Sequence, residues 1–494
     1  MRTAGALVWL ACAICACSAD LATRIQNVVD GAPETRSAFW GIVIADLENG
    51  KTVYTLNADR FFVPASNTKL FTTALGLVRL GPDYRYQTTV LATRAPDSAG
   101  TVTGLRLVGG GDPNLSGRAI PYRTGPPAGN PLAAIEDLAE QVAARGVRRV
   151  EGGIVGDDTA YVWQPFAEGW AVDDPIWDYG APVSALAVND NAFSLTVQPG
   201  GRAGDPAVLT LDPALEFYRL DNRVRTAAGG ERRIRIDREP GSRQLRLWGA
   251  IPLGDRGETA LVAIGDPACY AALALRDALE RRGVAVAGGV RSRHLFPNQV
   301  EDLARGPAPA VEPGVELARR VSVPLVEDLR ITAKVSQNLH AEMTLRAVAR
   351  ARRGIGSREA GLEEMKAFLD EVGIPRTAYH LNDGSGLARL NLVTPAAVVG
   401  LLRWMWGSPA RQHWTGLLPV AGEDGTLEHR LAGTPAAGRI RAKTGSLSHV
   451  SALSGYAAPR GGGRLAFAIL VNNYNGPSAP VRAAMDKICS LMVE

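Results

Sequence analysis

The chain is poor in lysine, cysteine and histidine, and each shortage narrows what it can be. Only six of its 54 basic residues are lysines: Lys51, Lys69, Lys334, Lys366, Lys443 and Lys487. A chain that uses arginine almost everywhere keeps some lysines where an amine must lose its proton, because a guanidinium effectively never does. Surface placement is the plain alternative, and it covers Lys51, Lys366 and Lys487. Of five cysteines, three (Cys12, Cys15, Cys17) stand near the N-terminus, leaving Cys269 and Cys489. One disulfide is the most those two could form, and nothing in the sequence demands it. The six histidines make no metal-like pair and accompany no nucleophile motif of the Ser-His-Asp kind. Zinc and phosphate-loop signatures are absent, so no metal and no cofactor is expected. A Gly-x-Ser-x-Gly elbow is also missing, which disfavours a Ser-His-Asp hydrolase. The net charge of +4 is small for 494 residues. With no basic block carrying interleaved aromatics, nucleic acid is not an expected partner.

Long apolar runs are lacking too, with one exception. Met1-Arg2 precedes an apolar stretch from Ala4 to Ala16, followed by small residues. A positive start, a short apolar core and small residues read as a secretory signal over residues 1–19. The stretch is too short to span a bilayer comfortably. Ile14-Cys15-Ala16-Cys17 loosely resembles a bacterial lipobox, with Cys17 as the residue that would carry lipid. Ordinary cleavage near Ala19 is the preferred reading.

Residues Ala38 to Leu56 read as a hairpin: an apolar strand from Phe39 to Ile44, the turn pair Asn49-Gly50, and a return from Val53 to Leu56. Pro64 to Lys69 leads into Leu70–Leu77 with helical apolar spacing, so Ser66 is expected at the start of a helix. Strands follow near the other end, over Arg439–Gly445, Val450–Tyr456 and Arg464–Val471, with an amphipathic helix over Pro480–Val493. Between them lies a different texture, rich in Gly, Pro, Asp and Arg. Its short strands are interrupted by two clear helices, Ala133–Gly146 and Tyr270–Gly283. The expected fold class is α/β (α+β). A discontinuous domain of residues 20–90 plus 309–494, an antiparallel sheet with helices on its faces, is interrupted by a β-rich insert over 91–308 of one or two subdomains.

Three short motifs carry chemistry: Ser66-Asn67-Thr68-Lys69, Ser336-Gln337-Asn338 and Lys443-Thr444-Gly445. Positions i and i+3 of a helix share a face, so Lys69 lies one turn beyond Ser66 and within reach of its hydroxyl. A serine hydroxyl needs a neighbouring base. Lysine serves if burial or a second cation lowers its pKa, and Lys443 is a suitable second cation. The helix start offers N–H groups to a developing oxyanion. Ser336 can relay a proton to a leaving amine, and Asn338 can hold a substrate amide. Lys443, Thr444 and Ser446 would make a cationic, hydroxyl-lined strand that docks a carboxylate and pairs with substrate backbone. Taken singly, Ser66 is more simply a helix cap, and Lys-Thr-Gly an exposed strand end. Their order along the chain, with three of six lysines in or beside the motifs, favours the joint chemical reading. His340 and His449 stand near the motifs and are expected only to pack.

The triplet matches the pattern of penicillin-binding proteins and β-lactamases, with Ser-Gln-Asn in place of Ser-Asp-Asn. The likeness continues in Gly111-Asp112-Pro113 with Leu115, Ser184-Ala185-Leu186, Asn189-Asp190-Asn191, Asp383-Gly384-Ser385-Gly386-Leu387 and Gly422-Glu423-Asp424-Gly425-Thr426-Leu427. With these residues the chain resembles the class C low-molecular-weight penicillin-binding proteins, the D-alanyl-D-alanine carboxypeptidase/endopeptidase family. That resemblance implies a penicillin-recognising serine transpeptidase-like domain with a large insert after the first motif. It implies Ser66 as acyl-ester nucleophile, Lys69 as proton acceptor, Ser336 and Asn338 as second element, and Lys443 as substrate-binding lysine. The implied partners are peptidoglycan peptides as substrate and β-lactams as covalent inhibitors. It also sets Asp158 of the insert and Arg389 beside the substrate side chain, able to hold the ammonium and carboxylate of a diamino acid, with Leu447 as an apolar floor. The alternatives are a β-lactamase, disfavoured by the large insert and the lack of a deacylation base, and an inactive wall-binding protein, which need not keep all three motifs.

The N-terminal reading makes the protein an exported one, periplasmic in a cell with two membranes. Alkaline phosphatase fused after Asp20 is expected to be active outside the cytoplasm, and an inactive fusion would count against export.

Overall fold

The computed structural model describes residues 21–31, 33–125, 129–307, 310 and 312–494. The expected signal segment, with Cys12, Cys15 and Cys17, lies outside the described residues. Among the described residues no helix is long and apolar enough to cross a membrane. The chain forms two compact units. One comprises residues through Pro82, Leu325–Leu345 and Leu362–Glu494, and the other Asp83–Pro324 and Arg346–Gly361.

The first unit is built on a five-stranded antiparallel sheet. Its order is Ile440–Leu447, Val450–Ala457, Leu465–Asn472, Phe39–Asp46 and Thr52–Leu56. The expected N-terminal hairpin is present, its turn closed by Asp46 N–H donating to Lys51 O at 2.9 Å. Val450–Ala457 and Leu465–Asn472 are buried at every position. Strands buried at every position need cover on both faces. On one face Trp40, Ile42 and Ile44 pack with Ile25 and Val28 of the helix over 21–30 and with Val481, Met485 and Ile488 of the closing helix, Ser478–Val493. On the other, a Cβ added at Gly41 would meet the Phe62 ring at 2.4 Å and Pro395 at 2.7 Å. The Pro395–Gly407 helix therefore seats against that face. The helix Thr68–Arg79 is buried from Thr68 to Leu77. Its close packing depends on Gly76, where a Cβ would stand 2.7 Å from Thr344 Cγ2 and 3.5 Å from Leu329. The helices Leu325–Lys334, Asn338–Arg353, Arg358–Val372, Pro395–Gly407 and Arg411–Leu417 between the motifs were not foreseen. In Asn338–Arg353 the charged residues interrupt the apolar pattern, yet its positions 339–349 are all buried.

The second unit contains the β-rich insert. A mixed five-stranded sheet runs in the order Val290–Leu295, Ile154–Val162, Leu105–Val108, Gln87–Ala92 and Val315–Val321. Gln87–Ala92 pairs antiparallel with Val315–Val321. That pairing draws residues 83–90 and 312–324 into this unit, beyond the 91–308 limits set by composition. The helices Ala133–Ala144 and Pro267–Glu280 contribute to a single apolar cluster that runs from Val90 to Ala318. The same cluster takes in Leu245, Leu247 and Val262 from two further three-stranded sheets. Cys269 and Cys489 are both free thiols and both buried.

One buried relay in the first unit can be tested. Trp414, fully buried, donates its indole N–H to Tyr456 Oη at 2.8 Å, and that hydroxyl donates to Leu402 O at 2.7 Å. Tyr456→Phe strands both partners and should cost about 1–3 kcal/mol of stability. The expected result is a lower urea midpoint with an unchanged slope.

Candidate active site

Ser66 sits in a single 3₁₀ turn, Ala65–Asn67, that runs directly into the helix Thr68–Arg79. Ala65 holds φ +47°, an unusual value for a residue with a Cβ, and it fixes the sharp entry of the chain. Two glycines let neighbouring segments close on this turn. A Cβ at Gly386 would fall 1.9 Å from Ala65 O, and one at Gly445 would fall 3.1 Å from the Ser66 nitrogen. The Gly of Lys-Thr-Gly is thus a steric requirement: the strand must pass the Ser66 N–H.

Lys69 is fully buried one helical turn on. Its Nζ donates to Ser66 Oγ at 2.9 Å, to Asn338 Oδ1 at 2.6 Å and to Ser385 O at 2.7 Å. Burial lowers its pKa to about 7, against the pull of the Asp383 and Glu342 carboxylates. Lys443, also fully buried, donates to Ser336 Oγ and to Thr444 O, each at 2.9 Å. It is held well below the ordinary lysine value, first by burial and then by the Lys69 charge. The two neighbouring amines disfavour each other's charge. The expected contact of Lys69 with Ser66 is present, and burial is the main cause of its lowered pKa.

The first and second motifs therefore meet through Asn338, and the second and third through Ser336. Ser336 holds φ +65° between two helices. Thr444 Oγ1 donates to Thr426 Oγ1 at 2.8 Å, within the Gly422–Leu427 turn noted in the sequence. The strand Ile440–Leu447 lies at the sheet edge, so one side of it has no strand neighbour, and Ser446 is exposed on it. Such an edge can accept an extended peptide as an added strand. Lys334, near the second motif, serves the fold, since it donates to Leu418 O at 2.8 Å and pairs with Asp424. His340 packs as expected, with Nδ1 2.7 Å from Asp328, and His449 Nδ1 lies 2.9 Å from Tyr474 O.

Glu342 escaped the sequence reading, and Asp383 entered it only as part of the Asp383–Leu387 motif. Glu342, fully buried, accepts from Gly384 N at 2.8 Å and Ser385 N at 2.9 Å. Asp383 accepts from Gly386 N, Ala388 N, Ser385 Oγ and Asn391 Nδ2 at 2.7–3.0 Å. Together they fold the Asp383–Leu387 turn so that Ser385 O faces the Lys69 amine. The signal available was position: Glu342 follows Asn338 by four residues on one helix, hence on one face.

Of the proposed specificity residues, Arg389 is exposed and donates to Ser448 O at 3.1 Å, next to half-buried Leu447. Asp158 belongs to the other unit and is 2% exposed. One of its carboxylate oxygens accepts from Ser184 Oγ at 2.8 Å, and the other lies 2.9 Å from His294 Nδ1. Against burial, which alone would lower it, Asp158 and Asp266 push the His294 imidazole up to about 9.

A serine in contact with a buried lysine, with a second serine and a second lysine at an edge strand, fits an active-serine peptidase of the penicillin-recognising kind. The D-Ala-D-Ala carboxypeptidase 3 (S13) family matches the chain over residues 21–492. The chain belongs to that family and is a serine-type D-Ala-D-Ala carboxypeptidase. It is 36% identical over 488 residues to D-alanyl-D-alanine carboxypeptidase of Actinomadura sp. (strain R39), spanning 96% of this chain and 85% of that protein. It is 30% identical over 455 residues to carboxypeptidase DacB of Mycolicibacterium smegmatis, spanning 91% of this chain and 79% of that protein. The crystal structure of penicillin-binding protein 4 (DacB) from Haemophilus influenzae has the same fold, with a TM-score of 0.81 at 22% identity, covering 95% of this chain and 99% of that one. The β-lactam complex of that protein gives a TM-score of 0.75.

With its lysine titrating near 7, the site makes a pH prediction. Lys69 acts as base only when neutral, so kcat/KM for a D-Ala-D-Ala peptide should rise with pH through about 7 and level off above it. Lys69→Arg keeps the charge but cannot become neutral; its loss should exceed the roughly 10²–10⁴-fold typical of a general base. Activity within about tenfold of wild type would reduce Lys69 to an electrostatic neighbour.

Proposed function

We propose that the enzyme removes or cleaves after D-alanine in peptidoglycan stem peptides and cross-links through a Ser66 acyl-enzyme, outside the cytoplasm. One observation carries this reading: the buried Lys69 amine stands 2.9 Å from Ser66 Oγ, with its pKa lowered by burial to about 7. Ser66 Oγ attacks the carbonyl of the penultimate D-Ala and Lys69 takes its proton. Backbone N–H groups at the helix start receive the oxyanion. Ser336, held by Lys443, passes a proton to the departing amine, and the ester forms as the C–N bond breaks. The leaving residue's carboxylate docks at Lys443, Thr444 and Ser446 on the edge strand. The proton taken up by Lys69 replaces the one Ser336 gives away, so both are restored. Water then attacks the ester with Lys69 again as acceptor, and the ester C–O bond breaks as that proton returns to Ser66 Oγ, releasing the acid.

A β-lactam enters the same chemistry, but its opened ring stays tethered and slows the water step. Benzylpenicillin is therefore expected to label Ser66 stably, with the adduct found by mass spectrometry on the peptide containing Ser66. Full labelling of Ser66→Ala would sink the mechanism, and rapid release of penicilloate would favour a β-lactamase.

For side-chain choice, we propose Arg389 with Leu447 as the contacts for a diamino-acid carboxylate. Asp158 was expected to hold the matching ammonium. Its burial and its bonds to Ser184 and His294 support a role in the insert's packing instead. Arg389→Ala should cost a peptide bearing that carboxylate about 1–3 kcal/mol in kcat/KM and leave a peptide lacking it little changed. Asp158→Ala should lower turnover of both peptides alike. A loss confined to the amine-bearing peptide would restore Asp158 as a substrate ligand.

A further inference from the structure

Within the insert, the three-stranded sheet of Arg219–Ala227, Gln244–Pro252 and Arg233–Asp237 has two unlike faces. Val224, Leu245, Leu247 and Ile251 are buried on the inner one. Outward positions carry six arginines and two aspartates: Arg219, Arg223 and Arg225 with Asp221 on one edge strand, Arg233 and Arg235 with Asp237 on the other, and Arg246 on the central strand between the two aspartates. Trp248 stands in the middle, 44% exposed, directly opposite Arg223 on one side and Arg235 on the other.

Three of these arginines are neutralised. Arg223 pairs with Asp221 at 2.7 Å, Arg233 with Glu231 at 3.1 Å and Arg246 with Glu239 at 2.8 Å. Arg219, Arg225 and Arg235 have no side-chain partner among the described residues. An exposed tryptophan among free guanidiniums matches the composition of binding hot spots rather than of ordinary surface. A guanidinium fork grips carboxylate two-pronged, which an ammonium does not. The strands lie about 4.8 Å apart, so the free charges are spread across a flat sheet face. A flat face of this kind suits an extended anion better than a small one. Trp248 is the one large apolar side chain on the outward positions of these strands. A single ring offers a stacking platform but too little apolar area to enter a lipid layer.

We propose that this face docks the carboxylate-bearing glycan polymer of the cell wall, with Trp248 stacked on a sugar ring and Arg225 and Arg235 gripping stem carboxylates. The proposal rests on the reading that the wall polymer is the substrate. It adds a polymer-binding surface in the insert, built from residues outside the Ser66 site.

The test is co-sedimentation of the full mature chain with purified sacculi stripped of secondary polymers, run beside hydrolysis of a soluble D-Ala-D-Ala peptide. The wild type should sediment, and release as salt screens the charges. Arg225→Glu with Arg235→Glu, and separately Trp248→Ala, should each weaken sedimentation by about tenfold or more, the equivalent of losing one charge-assisted or stacked contact. Both variants should hydrolyse the soluble peptide at the wild-type rate, which also reports that they fold. Sedimentation unchanged in both variants overturns the proposal. So does sedimentation abolished by prior penicillin acylation, which would place the binding in the active site. A defect seen only with phosphatidylglycerol vesicles or DNA, with sacculus binding intact, overturns it too. A wild type that sediments but does not hydrolyse the peptide would sink the catalytic reading alone.

Discussion

The site depends on keeping one amine dry. Lys69 has no contact with water, and its three hydrogen bonds are to a hydroxyl, an amide oxygen and a backbone carbonyl, none of them a carboxylate. That set solvates the amine without fixing a permanent positive charge on it. Asp383 and Glu342 are close enough to be felt, but their oxygens are occupied by backbone N–H groups of the turn they hold. A direct ion pair to either would raise the lysine and silence it as a base. The arrangement of the surrounding segments follows from this constraint, including the glycines that let two chains close over the Ser66 turn.

The same logic sorts the lysines. Lys69, Lys334 and Lys443 are buried, whereas Lys51 and Lys487 are exposed and Lys366 makes a surface pair with Glu363. In a chain otherwise committed to arginine, the three inside lysines are those beside the motifs. Two of them share a small volume and cannot comfortably both carry charge. Lys334 differs in having a carboxylate of its own, Asp424, and it braces the second motif instead of reacting.

How much of this was legible in the sequence followed from the range of the interaction. Local signals were readable: the Asn49-Gly50 hairpin, the i, i+3 spacing of Ser66 and Lys69, and the apolar strands near the C-terminus. The meeting of the three motifs was inferred from their order, and the hydrogen bonds through Asn338 and Ser336 carry it out. The Asp383–Leu387 turn was visible as a motif, but the contacts by which Glu342 and Asp383 shape it were not, because they run to backbone N–H groups. The insert's limits were misjudged by several residues, since the pairing of Gln87–Ala92 with Val315–Val321 spans the whole insert. Asp158 was set beside the substrate by resemblance alone; in the structure it is buried and lies against His294, far along the chain.

The catalytic sheet also sets a schedule for the chain as it is made. Phe39–Asp46 finds its inner partner only in Leu465–Asn472, in register from Phe39 opposite Asn472 to Asp46 opposite Leu465. Ser66 is synthesised early, but the sheet that backs it cannot close until Asn472 has emerged. The second unit, whose apolar cluster runs from Val90 to Ala318, is complete once Gly361 has been made. Contacts of such separation form slowly. A chain that stops short of Leu465 would hold Ser66 and Lys69 three positions apart and yet lack the inner strand of the sheet behind them.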